Sequence, residues 1–292
     1  MKFKKYYLFI FSVGLLAFAS CLKDDANFKD FSKVGTIIEL LDADPNILDT
    51  LHKSDGLTTA ALTYSKTPVN ITSRVNVAAP YPLSSPLNVT LSIDKAALTR
   101  WKQMNFDSTY ELLPDSTYTV PSASITIPAN TSVGNYVVKV NSSKIDLTHS
   151  YILPVSIADA SGQNISGNFK TILYSIGVKN IYDGNYSAVG TLVRTGVPDY
   201  SIDQTVNLAT VTGNTSSTFA PFPGNGTLSF FIQVNADNTV TIVTDTNGPV
   251  AIKGTAGKIS KYDPAKKQFH LYYGYVNSSG KSRDFDVIYT AQ

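Results

Sequence analysis

The chain reads as a succession of short stretches in which apolar and polar residues alternate one by one. Leu87, Val89, Leu91 and Ile93 are separated by Asn88, Thr90 and Ser92, and Tyr136, Val138 and Val140 repeat the rhythm. So do Tyr151, Leu153, Val155 and Ile157. A period of two sends one set of side chains to a buried face and the other to water, which marks a half-buried strand. Gly, Pro, Asn and Asp bound these stretches, which recur roughly every 8–12 residues, the spacing of sandwiches and barrels. The spacing predicts one helix, Asp94 to Asn105, with Asp94 as its cap. On it Leu98, Trp101 and Met104, or Ala97, Trp101 and Asn105, share a face, so Trp101, the only tryptophan, is expected to anchor a core.

A strand-like stretch from Thr171 to Val178 closes a first unit, and Lys179 to Gly184 reads as a crossing into a second. Strands are predicted there over Tyr186 to Val193, Leu228 to Val234, Val240 to Val243, Phe269 to Val276 and Phe285 to Tyr289. Asn235 to Asn238 reads as a hairpin turn and Tyr262-Asp263-Pro264 as another turn. Thr212 to Gly226, rich in Thr, Ser, Gly and Pro, is expected to be one long surface loop. In the Phe269 stretch, Phe269, Leu271, Tyr273 and Tyr275 fall on one face, and His270 and Tyr272 on the other. If the apolar face is core, Tyr272 is the exposed aromatic, and with Tyr262 it forms the candidate ligand-binding pair.

The N-terminus bears on the compartment. Lys2, Lys4 and Lys5 precede an apolar run from Tyr6 to Ala19, and Ala19 and Ser20 lead into Cys21. A basic start, a short apolar run and small residues before a cleavage point are a secretory signal. The run is short for a membrane span, which needs about 20 apolar residues, so an uncleaved anchor helix is the weaker alternative. Cys21 is the only cysteine, so no internal disulfide can form. Residues 1–20 are thus expected to be a leader, 21–33 a tether, 34–179 a first β domain and 180–292 a second. The formal net charge is +2 and the leader holds three lysines, which leaves −1 without it. No basic stripe points to nucleic acid.

Phe18-Ala19-Ser20-Cys21 resembles the lipobox of bacterial lipoproteins, in which the cysteine carries the lipid. Lys23-Asp24-Asp25 just after it resembles the export signal of Bacteroidetes-type surface lipoproteins. Further on, Tyr110-Glu111-Leu112-Leu113-Pro114, then Ile125-Thr126-Ile127-Pro128-Ala129, then Tyr151-Ile152-Leu153-Pro154-Val155 resemble an N-terminal domain family of such lipoproteins, long labelled a domain of unknown function. Asn130 stands where that family often has Gly, a position that accepts positive φ. The resemblance implies an immunoglobulin-like sandwich. Ile181 to Tyr186 and Lys261 to Ala265, followed by the Phe269 strand, resemble a partner domain, which implies a lipocalin-like barrel or a curled sheet. Family association implies an outer-membrane, cell-surface protein that binds polysaccharide or oligosaccharide beside outer-membrane transporter components.

Motifs of catalysis are sparse. His52, His149 and His270 show no metal-ligand spacing, and no cofactor or phosphate-cradling motif occurs. Asp42 to Asn46 begins like a calcium loop, but Ile47 and Lys53 stand where Gly and an acid are needed. The only glutamates are Glu39 and Glu111, and Glu111 lies in the Tyr-Glu-Leu-Leu-Pro corner. Glycoside hydrolysis needs two flanking carboxyls, which aspartate pairs alone would have to supply, so an enzyme is not expected. Asp49-Thr50-Leu51, Asp107-Ser108-Thr109 and Asp115-Ser116-Thr117 resemble O-glycosylation sequons of this bacterial group. Seventeen tyrosines amid Asn, Ser and Thr suit a binding surface. The alternatives are an adhesin for a protein partner, and a carrier of a small apolar ligand inside the second domain.

Overall fold

The computed structural model describes residues 35–43, 56–222 and 228–292. The first domain supplies β1 (Ile37–Leu40), β2 (Leu57–Thr63), β3 (Val69–Ala78), β4 (Leu87–Ile93), β5 (Tyr110–Leu112), β6 (Tyr118–Thr119), β7 (Ser124–Ile127), β8 (Val133–Val140), β9 (Ser150–Asp159), β10 (Asn164–Ile165) and β11 (Thr171–Lys179). One sheet runs β10-β1-β3-β8-β6 and the other β2-β11-β9-β4-β7, with β5 added in parallel to β9. The inward residues of the alternating stretches meet between them: Val75, Val89, Val138, Leu153, Val155 and Ile172 are fully buried in one cluster. This is an immunoglobulin-like sandwich.

β9 departs from simple alternation, being buried without break from Tyr151 to Ile157. The cause is helix α1 (Lys95–Asn105), which covers the outer face of that sheet. Ala97, Leu98 and Trp101 pack onto Ile152 and Leu173 in a second core. The Asp94 carboxylate accepts from the Ala97 amide at 3.1 Å and starts the helix. Phe106, at φ 52°, ends it. Asn130 takes φ 61°, the conformation its position requires.

The crossing is fastened to the second domain by its polar side chains. The buried Asn180 amide donates to the Thr212 and Thr215 carbonyls at 2.8 and 3.0 Å. Its oxygen accepts from the Tyr182 amide at 2.9 Å. Beyond lie β12 (Gly184–Arg194), β13 (Tyr200–Thr210), β14 (Thr215–Phe219), β15 (Ser229–Val234), β16 (Thr239–Thr244), β17 (Lys253–Gly254), β18 (Ser260–Asp263), β19 (Gln268–Val276) and β20 (Ser282–Ala291). β12 through β16 pair in chain order, β16 continues to β18, β19 and β20, and β20 returns to β12, every pair antiparallel. The sheet is therefore a closed eight-stranded barrel rather than an open curl. β14 lies inside the segment expected to be one long loop. Its inward residues, Ser216 and Thr218, are buried hydroxyls that carry no apolar rhythm.

An eight-stranded barrel leaves an interior just wide enough for side chains to fill. Here Phe230, Phe269, Leu271, Tyr273, Phe285 and Tyr289 fill it, each at most 2% exposed. The Tyr273 ring lies 4.6 Å from Phe230 and stacks on Phe285 at 4.7 Å, and its hydroxyl lies 3.0 Å from that of Tyr289.

Candidate functional site

The same alternation that fills the barrel equips its outer wall. Phe269, Leu271 and Tyr273 of β19 turn inward, so His270, Tyr272 and Gly274 turn outward. Antiparallel register then sets Tyr272 opposite Asp286, Gly274 opposite Asp284 and His270 opposite Ile288. β12 extends the rows, with Thr191 beside Asp286 and Val189 beside Ile288. The turn between β17 and β18 brings Lys258 over this face.

Four side chains interlock there. His270 Nε2 lies 2.7 Å from Asp286 Oδ1. A carboxylate only accepts, so Nε2 donates to it, and in the neutral ring Nδ1 is an acceptor. The Tyr272 hydroxyl, 3.3 Å from Nδ1, is its donor. Lys258 Nζ sits 3.4 Å from Asp286 Oδ2 and 4.6 Å from the centroid of the Tyr272 ring. Tyr272 is half-buried and the histidine, aspartate and lysine stay wet, so the ion pair adds little stability, about 0–1 kcal/mol. The bonds hold an aromatic face, a carboxylate and an ammonium in one orientation. Lys258, His270 and Asp286 line a shallow groove of about 430 Å³ that includes Thr255, Asp284 and Val189, and Tyr272 edges the depression beside it. The carboxylate, the ammonium and the imidazole can bond hydroxyls, while Lys258 and the His270 ring, 4.4 Å away, pack against the Tyr272 ring.

The structure separates the two tyrosines expected to act together. Tyr272 stands on the outer wall, whereas Tyr262 is 7% exposed, with its ring 5.0 Å from Tyr182 and 4.6 Å from Phe269 inside the barrel. β18 turns Ser260 and Tyr262 inward, and Lys261 takes the outer place opposite His270. Tyr262 is a core residue. The partners of Tyr272, namely Asp286 and Lys258, were not picked out from the sequence. The alternation of Phe285, Val287 and Tyr289 places Asp286 outward, but only the strand register brings it to Tyr272.

Other candidates have structural roles. Trp101 is 2% exposed, with its ring edge-on to Tyr110 at 5.7 Å. Glu111 lies 3.1 Å from His149 Nδ1 on the surface. Glu39 accepts from Asn76 at 2.9 Å. Asp42 pairs with Arg74, which holds its carboxyl below the usual range. Ser108 and Ser116, the central residues of two sequon-like triplets, are exposed. Cys21, Lys23, Asp24, Asp25, His52, the rest of the calcium-like run and the Asp49 triplet lie outside the described residues. Among the described residues no three His, Cys, Asp or Glu side chains converge as a metal site.

Sandwich, closed barrel and external groove define an all-β protein of two domains. A family model described as an N-terminal domain matches residues 48–164, and one described as a C-terminal domain matches residues 170–290. The chain belongs to these two domain families, joined in one polypeptide. Solved structures from Bacteroides ovatus share the arrangement. One protein of unknown function superposes with a TM-score of 0.65 at 14% identity, over 88% of this chain and 95% of that one. A second of unknown function gives 0.52 at 18%, over 87% and 94%. A multidomain protein including DUF1735 gives 0.51 at 17%, over 87% and 93%. At such identities the likeness shows the fold. Among proteins of curated function none matches the chain.

Proposed function

We propose that this chain is a lipid-anchored protein of the outer-membrane surface that captures extracellular glycan on the outer wall of its C-terminal barrel, as an accessory to polysaccharide utilisation. The observation that carries the capture reading is the Tyr272–His270–Asp286–Lys258 cluster, held open to solvent over a groove. Sugars present flat C–H faces ringed by hydroxyls. A carboxylate, an ammonium and an imidazole gathered around an aromatic ring complement the hydroxyls. The carrier alternative needs an enclosed apolar cavity, and the aromatic side chains of the interior occupy that space. Anchoring rests on Cys21 and its lipobox, and surface export on Lys23, Asp24 and Asp25.

Affinity electrophoresis tests capture directly. The ectodomain should be retarded in gels loaded with amylose, xylan or linear mannan, and Tyr272→Ala or Asp286→Ala should abolish the retardation without loss of fold by circular dichroism. Retardation that survives both substitutions would move capture away from this wall. In cells, Cys21→Ser should shift the protein from the membrane to the soluble fraction. Replacing Lys23, Asp24 and Asp25 with alanine should keep it in the membrane but shield it from external protease.

A further inference from the structure

The cluster occupies one section of a longer trough. On one side the groove around His270 continues into a depression of about 490 Å³ edged by Lys261 and Tyr272, and the two share Lys258 and His270. On the other side it continues into one of about 500 Å³ edged by Ala256, Gly274 and Val276, and those two share Thr255 and Asp284. All three sections are open to solvent. The first two sections follow one another across β18, β19 and β20, and the third lies farther along β19 and β20, toward Val276. The floor of the trough is low in the far section, where Gly254 and Gly274 line it. A Cβ on Gly274 would lie 2.6 Å from the Arg283 carbonyl oxygen and 2.7 Å from Asp284 Oδ1, so that position is closed to any other residue.

We infer that this trough takes the interior of an extended, unbranched sugar chain along its length, and not a chain terminus or a single sugar. The inference rests on the capture reading and deepens it. A site for a chain end needs a wall where the chain stops, whereas these sections run into one another and are open to solvent. The backbone beneath is paired in the ladders of a closed barrel, so a peptide cannot bind here by adding a strand, and recognition falls to side chains. Those side chains are spaced along the trough: Lys261 and Tyr272 at one end, His270 and Asp286 next, Asp284 and Thr255 beyond. Each section adds contacts that only a longer ligand reaches.

The test uses size-defined malto-, xylo- and manno-oligosaccharides, from dimers to octamers, titrated calorimetrically into the whole ectodomain. Affinity should rise about tenfold from trimer to hexamer, equivalent to about 1.4 kcal/mol, and then level off. Ala256 is exposed, so Ala256→Trp blocks the far section without touching the cluster. It should bring the hexamer down to the affinity of the trimer. A dimer that binds as well as a hexamer, or a hexamer indifferent to the block, overturns the extended-chain assignment. Retardation by the polysaccharides with no binding of any oligomer overturns it too, while capture stands. No retardation and no oligomer binding overturns capture itself.

Discussion

Removing the Tyr273 hydroxyl, or that of Tyr289, is expected to weaken the barrel, whereas removing both is expected to cost almost nothing. The two phenols face each other at 3.0 Å in an interior where both side chains are buried. Tyr273→Phe leaves the Tyr289 hydroxyl without a partner in an apolar space, at about 1–3 kcal/mol, and Tyr289→Phe does the same in reverse. The double variant leaves no orphan and keeps the ring stack on Phe285, so its cost is near zero. The coupling energy, double minus both singles, is therefore expected at about −2 to −6 kcal/mol. Urea melts can assign this to the barrel. Trp101, the only tryptophan, lies in the first domain, so its fluorescence follows the sandwich, and a transition that leaves that signal unmoved belongs to the barrel. Single costs that simply add would show each hydroxyl bonded to something other than its neighbour, most simply water, and the dry filled core argued here would be wrong. The same pair sets the alkaline limit. Burial holds both phenols above the ordinary tyrosine range, so their contribution is intact below about pH 10 and is lost as pH rises toward their folded pKa values, at about 1.4 kcal/mol per pH unit for each phenol. Absorbance titration should show them ionising only as the barrel unfolds.

Three further substitutions probe the junction, the wall and the sandwich. Burial alone would raise the Asp183 carboxyl, but its bonds to Lys179 at 2.9 Å and to the Thr210 amide and hydroxyl at 2.9 and 2.8 Å outweigh that and hold it below the usual range. Its stabilisation is present above about pH 3.9 and lost as pH falls through the lowered folded value; Asp183→Ala should cost about 1–3 kcal/mol in urea melts at pH 7, with the gap to the parent shrinking toward pH 3. A Cβ on Gly190 would lie 2.1 Å from the Asp286 carbonyl oxygen and 2.7 Å from the Val287 Cα, so Gly190→Ala must part β12 from β20. It should cost about 1–3 kcal/mol and, by shifting Asp286, weaken retardation in polysaccharide gels as well. Trp101→Ala should cost about 3–5 kcal/mol, read as an earlier sandwich transition by far-ultraviolet dichroism with the barrel transition unmoved.

The face of a strand was legible from local order, and the identity of its neighbours was not. The inward set Phe269, Leu271, Tyr273 and the outward pair His270, Tyr272 follow from alternation alone, because side chains on a pleated strand must alternate. The helix capped by Asp94 and the burial of Trp101 were equally local, whereas the positive φ of Asn130 was expected only from the family resemblance. Asp286 and Lys258 join Tyr272 only through pairings 14 residues away or more, which no local window contains. Tyr262 misled because β18 is four residues long and offers a lone aromatic between Lys261 and Asp263, too little alternation to show which face is wet. β14 was hidden because its inward positions are Ser216 and Thr218. Ser216 is satisfied there by Asn180, so a hydroxyl takes the place that an apolar residue would have advertised.

The placement of the groove follows from how this barrel is packed. Phenylalanines and tyrosines at the inward positions of β15, β19 and β20 fill the interior. On most of the wall the outward residues are the Thr, Ser and Asn expected of a hydrated strand face. Along β19 and β20 they are instead an imidazole, a phenol and two carboxylates, with exposed Val189 and Ile288 beside them. Opposite charges and an aromatic ring concentrated on one face contribute little to stability, and solubility alone would be served as well by the Ser and Thr used elsewhere. A trough floored in its far section by Gly274, where a side chain is sterically forbidden, adds a shape requirement to that chemistry. Stability explains the inside of these two strands, and the proposed capture of glycan would explain their outside.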